Sequence, residues 1–261
     1  MVSNHWQPPL DQPHVDEAEA RRLLAGDLGD AYRQILMRCC RPIYWYRLER
    51  NAPILANGTV TFVRTPERLL GVTAAHVLAG YLGSKVEAPT RVQLGAARID
   101  DLEARIIEIN EARDMATFDL EDFDLVQIGG EPIAPLESWP PLPPEENRGI
   151  MLGGFPGGDR QIIAPMEVDF GLFTALGTAR RVTDDQVTWM VDRDNGVVEG
   201  DLPPHYDLGG ISGAPLISKF FRNGIESYRL AAIISEAQPQ LEYVVARRAD
   251  VLRADGTFLH P

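Results

Sequence analysis

The sequence predicts an all-β protein in two halves, with a helical extension at its N-terminus. Three observations predict it. From Pro42 onward the apolar residues come in short runs rich in Val, Ile, Thr, Tyr and Phe, each bounded by Gly, Pro, Asn or Asp. A long helical periodicity, from Asp16 to about Arg38, precedes Pro42. One extended, Pro-rich tract, Trp139-Pro140-Pro141-Leu142-Pro143-Pro144-Glu145-Glu146, divides the strand-rich region. These features set the expected boundaries at 1–41 for an arm and helix, 42–140 for a first β unit and 141–261 for a second.

In chain order, residues 1–14 are polar and Pro-containing and read as a loose arm. From Asp16 to about Arg38 the spacing predicts a helix, with Asp16-Glu17 favouring its N-terminus and Leu24, Leu28, Ala31 and Ile35 on one face. This helix either packs against the main body or serves as a pro-segment or as a docking arm for a regulatory partner. Strands follow at Ile43–Tyr46 and Thr59–Val63, then a turn at Thr65-Pro66 and a strand at Leu69–Val72. Further strands are expected at Arg91–Leu94, Ala104–Ile109 and Met115–Leu120. The second half repeats the texture at Gly149–Phe155, Met166–Ala175, Val187–Val191, Leu216-Ile217, Tyr228–Ile234 and Tyr243–Ala246, with turns at Pro156-Gly157-Gly158, Asp194-Asn195-Gly196 and Asn223-Gly224. Arg247–Arg253 reads as a short helix. The sequence itself contains no visible repeat.

Composition bounds the function. At 261 residues the chain can bury one large core or two small ones. Lys+Arg 25 against Asp+Glu 38 leaves −13, which argues against nucleic acid or an anionic membrane as partner. No apolar run is long enough to span a bilayer, and Met1–Trp6 has neither the basic nor the apolar region of a secretory signal. The two cysteines, Cys39 and Cys40, are adjacent and would close no useful loop, so the fold is expected to stand without disulfides. A reducing, cytoplasmic setting fits that. No His, Cys and carboxylate cluster has metal-ligand spacing, so neither metal nor cofactor is expected.

The chemistry concentrates in Gly209-Gly210-Ile211-Ser212-Gly213-Ala214-Pro215. Glycines around a serine allow a tight turn that exposes the hydroxyl and leaves N–H groups where an oxyanion would form. Far upstream, Val72-Thr73-Ala74-Ala75-His76 brings a histidine to the end of a predicted hairpin, preceded by small residues that allow close packing. His5, His14, His205 and His260 lie in polar or terminal contexts. An α/β-hydrolase elbow is disfavoured, because its histidine must follow the serine and only His260 does. Gly153–Gly158 lacks the Lys-Ser/Thr ending of a phosphate loop and reads as a turn.

Together these two segments resemble the histidine and Gly-x-Ser-Gly-x-Pro boxes of trypsin-like (chymotrypsin-fold) serine proteases, over roughly residues 55–250. The resemblance implies two six-stranded antiparallel β-barrels, the first carrying the histidine and the second the serine. It implies a serine endopeptidase acting on protein or peptide substrates: Ser212 as nucleophile, His76 as base, and the N–H groups of Gly210 and Ser212 as oxyanion donors. The family order places an acid between His76 and Ser212. Asp114-Met115-Ala116-Thr117-Phe118 best matches its pattern, with Asp124 as the other candidate and Asp119 between them. Ser235-Glu236-Ala237 would line the substrate-binding strand, and Tyr206-Asp207 would lie near the pocket base. Ile211 replaces the acid that digestive relatives carry before the serine, which implies bacterial or viral-type relatives that fold active or are gated differently. The other reading is a catalytically silent domain of the same fold that binds a peptide or answers to a partner.

Overall fold

A computed structural model describes Arg22 and residues 25–47, 54–133, 139–146, 148–164, 167–190, 197–198, 206–222, 225–238 and 243–259. The first sheet is built from β1 (Cys40–Arg47), β2 (Ile54–Arg64), β3 (Leu69–Thr73), β4 (Thr90–Leu94), β5 (Ala97–Arg98), β6 (Ile106–Asn110) and β7 (Met115–Asp119). A hairpin of β9 (Arg160–Ala164) and β10 (Glu167–Phe170) stands apart, after β8 (Gly149–Gly154). The second sheet takes β8 together with β11 (Phe173–Thr178), β12 (Arg181–Val182) and β13 (Gln186–Met190). It is completed by β14 (Val197–Val198), β15 (Pro215–Arg222), β16 (Ile225–Gln238) and β17 (Tyr243–Arg248).

The sheet orders are β5-β4-β1-β2-β3-β7-β6 and β12-β13-β17-β16-β15-β8-β11-β14, antiparallel throughout. Setting aside the two-residue strands β5, β12 and β14 leaves six strands in each sheet. Numbered within their own half and read as a ring, both sets run first, second, third, sixth, fifth, fourth. Among the described residues the ring lacks a ladder between β4 and β6 in the first half, and between β11 and β13 in the second. The fold is chymotrypsin-like: two six-stranded antiparallel units of one topology, with an N-terminal helix. That shared order is invisible in the residues, because a ladder constrains backbone geometry and the polarity of a face, not identity.

Each half has its own core. Ile43, Val60, Phe62, Leu78, Leu94 and Phe118 fill the first; Leu152, Trp189, Ile211, Leu216, Ile234 and Val244 fill the second. A third cluster joins them, with Val63, Leu70, Val72 and Met115 against Leu230, Ile233, Leu252 and Phe258. The C-terminal stretch reaches back to supply it: Thr117 donates its hydroxyl to the Gly256 carbonyl at 2.6 Å, and Phe258 is fully buried. Where a short helix was expected at Arg247–Arg253, β17 runs to Arg248 and only a 3-10 turn, Ala249–Val251, follows.

Other expectations shift by small amounts for identifiable reasons. The N-terminal helix runs Asp27–Cys39; most of residues 16–24 lies outside the described residues. Its buried stripe is Gly29, Tyr32, Leu36 and Cys39, about one position round from the predicted face, and Ala31 is exposed. The stripe turns that way to pack on the second unit, where Tyr32 and Leu36 meet Met151 and Ile217 and the Tyr32 ring stands edge-on to Tyr228 at 5.5 Å. Cys39 and Cys40 are free, buried thiols at the junction of this helix and β1. Met166–Ala175 is two strands, β10 and β11, and Ala104–Ile109 splits into a helical turn, Leu102–Arg105, and β6.

The contact predicts that Leu36→Ala, which empties a site 1% exposed, destabilises the protein by about 2–5 kcal/mol. Denaturant unfolding measures it. A loss under about 1 kcal/mol would mean that the helix is dispensable packing.

Candidate active site

The site forms where the end of β3, the β6–β7 turn, the loop before β15 and the far end of β16 converge. After β3 the chain enters a helix, Ala75–Glu87, and His76 is its second residue. The helix N-cap, Ala74, offers no capping side chain. Asp114 supplies what is missing from a distance: its Oδ1 accepts the backbone N–H of His76 at 3.0 Å. The carboxylate therefore sits at the positive end of the helix, where the first N–H groups lack intrahelical partners. Asp114 closes the β6–β7 turn with φ +49°, a left-handed conformation that Asp and Asn tolerate better than most residues.

The same carboxylate takes the imidazole. His76 Nδ1 lies 2.9 Å from Oδ2 and 3.0 Å from Oδ1. A carboxylate only accepts, so Nδ1 carries the proton and Nε2 keeps its lone pair. A third donor comes from the second unit: Ser235 Oγ donates to Asp114 Oδ2 at 2.6 Å. Burial pushes the Asp114 carboxyl up, but the bonds from His76 Nδ1, Ser235 and the His76 N–H outweigh it and hold its pKa below the usual value. For His76 the Asp114 hydrogen bond outweighs partial burial; with the charges of Asp114 and Glu236 it raises the imidazole pKa above the ordinary 6.5. The His76 side chain stays 54% exposed, open to an incoming substrate.

Ser212 occupies the turn before β15. Its hydroxyl donates to the Ser235 carbonyl at 3.1 Å and, among the described residues, makes no hydrogen bond to His76. The N–H groups of the loop divide in a regular way. Those of Gly209, Ile211, Gly213 and Ala214 are taken by Asp207 Oδ1, Leu208 O, Ile234 O and Ile211 O. Those of Gly210 and Ser212 have no partner among the described residues. Peptide planarity explains the alternation. The Gly209 carbonyl is held by the Gly157 N–H at 2.6 Å, so the N–H of Gly210, across the same peptide, faces the opposite way. The Ile211 carbonyl is held by the Ala214 N–H at 2.9 Å, which turns the Ser212 N–H outward likewise.

Two glycines are required here. Gly210 has φ +101° and a Cβ there would lie 2.2 Å from Asn57 Nδ2; Gly213 has φ +93° and its Cβ would lie 1.9 Å from the Thr59 carbonyl.

The substrate-strand candidates lie in one place, with one surprise. Ser235 falls at an irregularity in the β16–β17 pairing, between Ile234 and Glu236, and the bulge turns its hydroxyl to Asp114. Pairing with β15 ends at Ile233, whereas Glu236 and Ala237 pair with β17. Asp207 is exposed and its Oδ1 closes a turn with the Gly209 N–H, while Tyr206 donates to Asp159 and stacks on Phe173 at 6.0 Å. Asp124 stands away from His76: it caps a 3-10 turn, accepting the Val126 N–H at 3.0 Å, and is exposed. Asp119 pairs with Arg68 at 2.8 Å. Sequence reasoning missed Thr59, Asn57 and Gly157, which brace the serine loop. They lie more than fifty positions from it, and no local pattern marks them.

The sequence matches no protein-family model and no curated protein. Among solved structures, the chain is similar to the Rv3671c protease from M. tuberculosis in its active form. The two are 16% identical, the match covers 98% of this chain and 96% of that one, and the TM-score is 0.46. No helix among the described residues is long and apolar enough to cross a membrane, and no group of three or more His, Cys, Asp or Glu among them could hold a metal ion.

Proposed function

We propose that the chain is a trypsin-like serine endopeptidase, with units 42–140 and 141–261 meeting at a Ser212–His76–Asp114 triad. The observation that carries the reading is the pairing of a carboxylate-oriented histidine with a serine whose turn, over residues 209–214, leaves the Gly210 and Ser212 N–H groups without a partner among the described residues. Nothing in peptide binding alone requires both.

In the reaction the Ser212 hydroxyl leaves the Ser235 carbonyl by rotation about its side-chain bond and presents its proton to His76 Nε2. Catalytic hydrogen bonds of this kind commonly form only with substrate bound. Oγ attacks the peptide carbonyl as Nε2 takes the proton, and the oxyanion settles on the Gly210 and Ser212 N–H groups. Asp114 stabilises the imidazolium and holds its tautomer. His76 then gives the proton to the leaving amine, an ester on Ser212 remains, and water activated by His76 hydrolyses it. The end of β16 at Glu236 and Ala237, beyond its pairing with β15, is suited to lie along the substrate backbone. No basic-residue preference follows from Asp207, whose carboxylate closes a turn within its own loop.

A fluorophosphonate probe tests the reading directly. Covalent labelling at Ser212, mapped by peptide mass, supports it, whereas no labelling under conditions that modify a control serine hydrolase favours the silent, binding reading. The pH dependence is a second test. His76 must be neutral to accept a proton, and its pKa lies above the ordinary value, so the acid limb of the inactivation rate should have its midpoint above pH 6.5. Below it the rate should fall about tenfold per unit. A midpoint at or below the ordinary value would contradict the Asp114–His76 coupling.

A further inference from the structure

The serine loop is held by the opposite unit, and one residue, Thr59, bonds it through both backbone and side chain. Thr59, fully buried on β2, donates its hydroxyl to the Gly210 carbonyl at 2.9 Å and accepts the Phe155 N–H on the same oxygen at 3.1 Å. Its backbone N–H donates to the Ser212 carbonyl at 2.8 Å, and its carbonyl accepts the Thr73 hydroxyl at 2.7 Å. One donor and one acceptor contact use the hydroxyl in a fixed sense.

Gly210 is the residue whose N–H is open, and it can flip easily because it has no side chain. That N–H lies in the peptide plane before Gly210, and the planes on either side of Gly210 together set its φ and ψ. The plane before Gly210 is fixed by the Gly157 N–H on the Gly209 carbonyl; the plane after it is fixed by the Thr59 hydroxyl on the Gly210 carbonyl. Thr59 holds the second plane directly and reaches the first through the Phe155 N–H it accepts, which anchors the turn that carries Gly157. Asn57 adds a second brace, donating to the Phe155 carbonyl at 3.0 Å. The acid that digestive relatives carry before the serine has no part in this. Ile211 stands there, buried in the apolar core of the second unit.

We propose that Thr59 is a positioning residue for the oxyanion site: its hydroxyl fixes the orientation of the Gly210 N–H across the contact between the two units. The inference rests on the serine-endopeptidase reading. It assigns to a neutral hydroxyl the ordering of the Gly210 peptide.

Thr59→Val keeps the branched shape and removes both hydroxyl bonds; Thr59→Ser keeps the hydroxyl. Thr117→Val is the control for lost stability, since Thr117 is equally buried, on β7, and donates to the Gly256 carbonyl at 2.6 Å, away from the serine loop. The fluorophosphonate inactivation rate should fall about 100-fold in Thr59→Val, as for a lost oxyanion donor. It should stay within about threefold in Thr59→Ser and Thr117→Val. With p-nitrophenyl acetate the loss should lie in kcat with KM little changed.

The Gly210 amide resonance, read by ¹⁵N NMR without any turnover, should move in Thr59→Val and return toward its original position in Thr59→Ser. Equal loss in Thr59→Val and Thr117→Val, or a Gly210 amide unmoved in Thr59→Val, overturns the role of Thr59. A wild-type protein inert to the probe overturns the peptidase reading instead, and the Gly210 resonance still decides Thr59.

Discussion

Ser212→Ala is expected to lower kcat for peptide hydrolysis by about 10⁴–10⁶ and to end fluorophosphonate labelling, with the fold intact. The size follows from what is removed. No other group on the loop can carry the acyl chain, because the remaining polar atoms of residues 209–214 are backbone amides and carbonyls, which are not nucleophiles. What survives is the part of catalysis that does not need the nucleophile: substrate held near the open Gly210 and Ser212 N–H groups. That residual is worth about 10³–10⁴ over water. Stability should change by less than about 1 kcal/mol, because the lost side chain makes one neutral hydrogen bond, to the Ser235 carbonyl. Purified Ser212→Ala with undiminished activity would remove Ser212 from the mechanism.

Asp114→Asn should cost about 10⁴ in kcat, the scale of the same change in a Ser-His-Asp triad. Asp114 receives three donors, the His76 N–H, His76 Nδ1–H and Ser235 Oγ–H, and gives nothing. An amide offers one oxygen and an NH₂ in the same outline, so one donor must face another donor. The imidazole relieves the clash by moving its proton to Nε2, and in that tautomer it cannot accept from Ser212. Asparagine tolerates the left-handed backbone at this turn, so the variant should fold. The carboxylate that raises the His76 pKa would also be gone, and the acid limb of any remaining activity should move to lower pH.

Asp124→Asn is the matched control. Its cap on the Val126 N–H can be made equally by an amide oxygen, so activity should change less than about tenfold and stability by under about 1 kcal/mol. If Asp124→Asn abolished activity and Asp114→Asn did not, the order of roles would have to be reversed.

The sequence by itself determined the class of fold and the placement of most strands. Alternating and β-branched runs between turn residues are a local signal, and the side chains of β1, β3, β7, β8 and β13 report their surroundings directly. The two boxes around His76 and Ser212 were legible for the same reason: glycines, a proline and small residues are needed where the backbone itself must turn or approach closely, as at Gly210 and Gly213. Three things were decided only by tertiary structure. The common strand order of the two units is a property of hydrogen-bonded ladders, which any sequence of suitable polarity can form. The contrast between Asp114 and Asp124 depends on which turn the sheet brings beside His76, and both sequences open an apolar run. The bonds of Ser235 to Asp114 and of Thr59 to Gly210 join residues 121 and 151 positions apart. A buried hydroxyl gains a partner only when two distant segments pack, so no local pattern of residues can specify it.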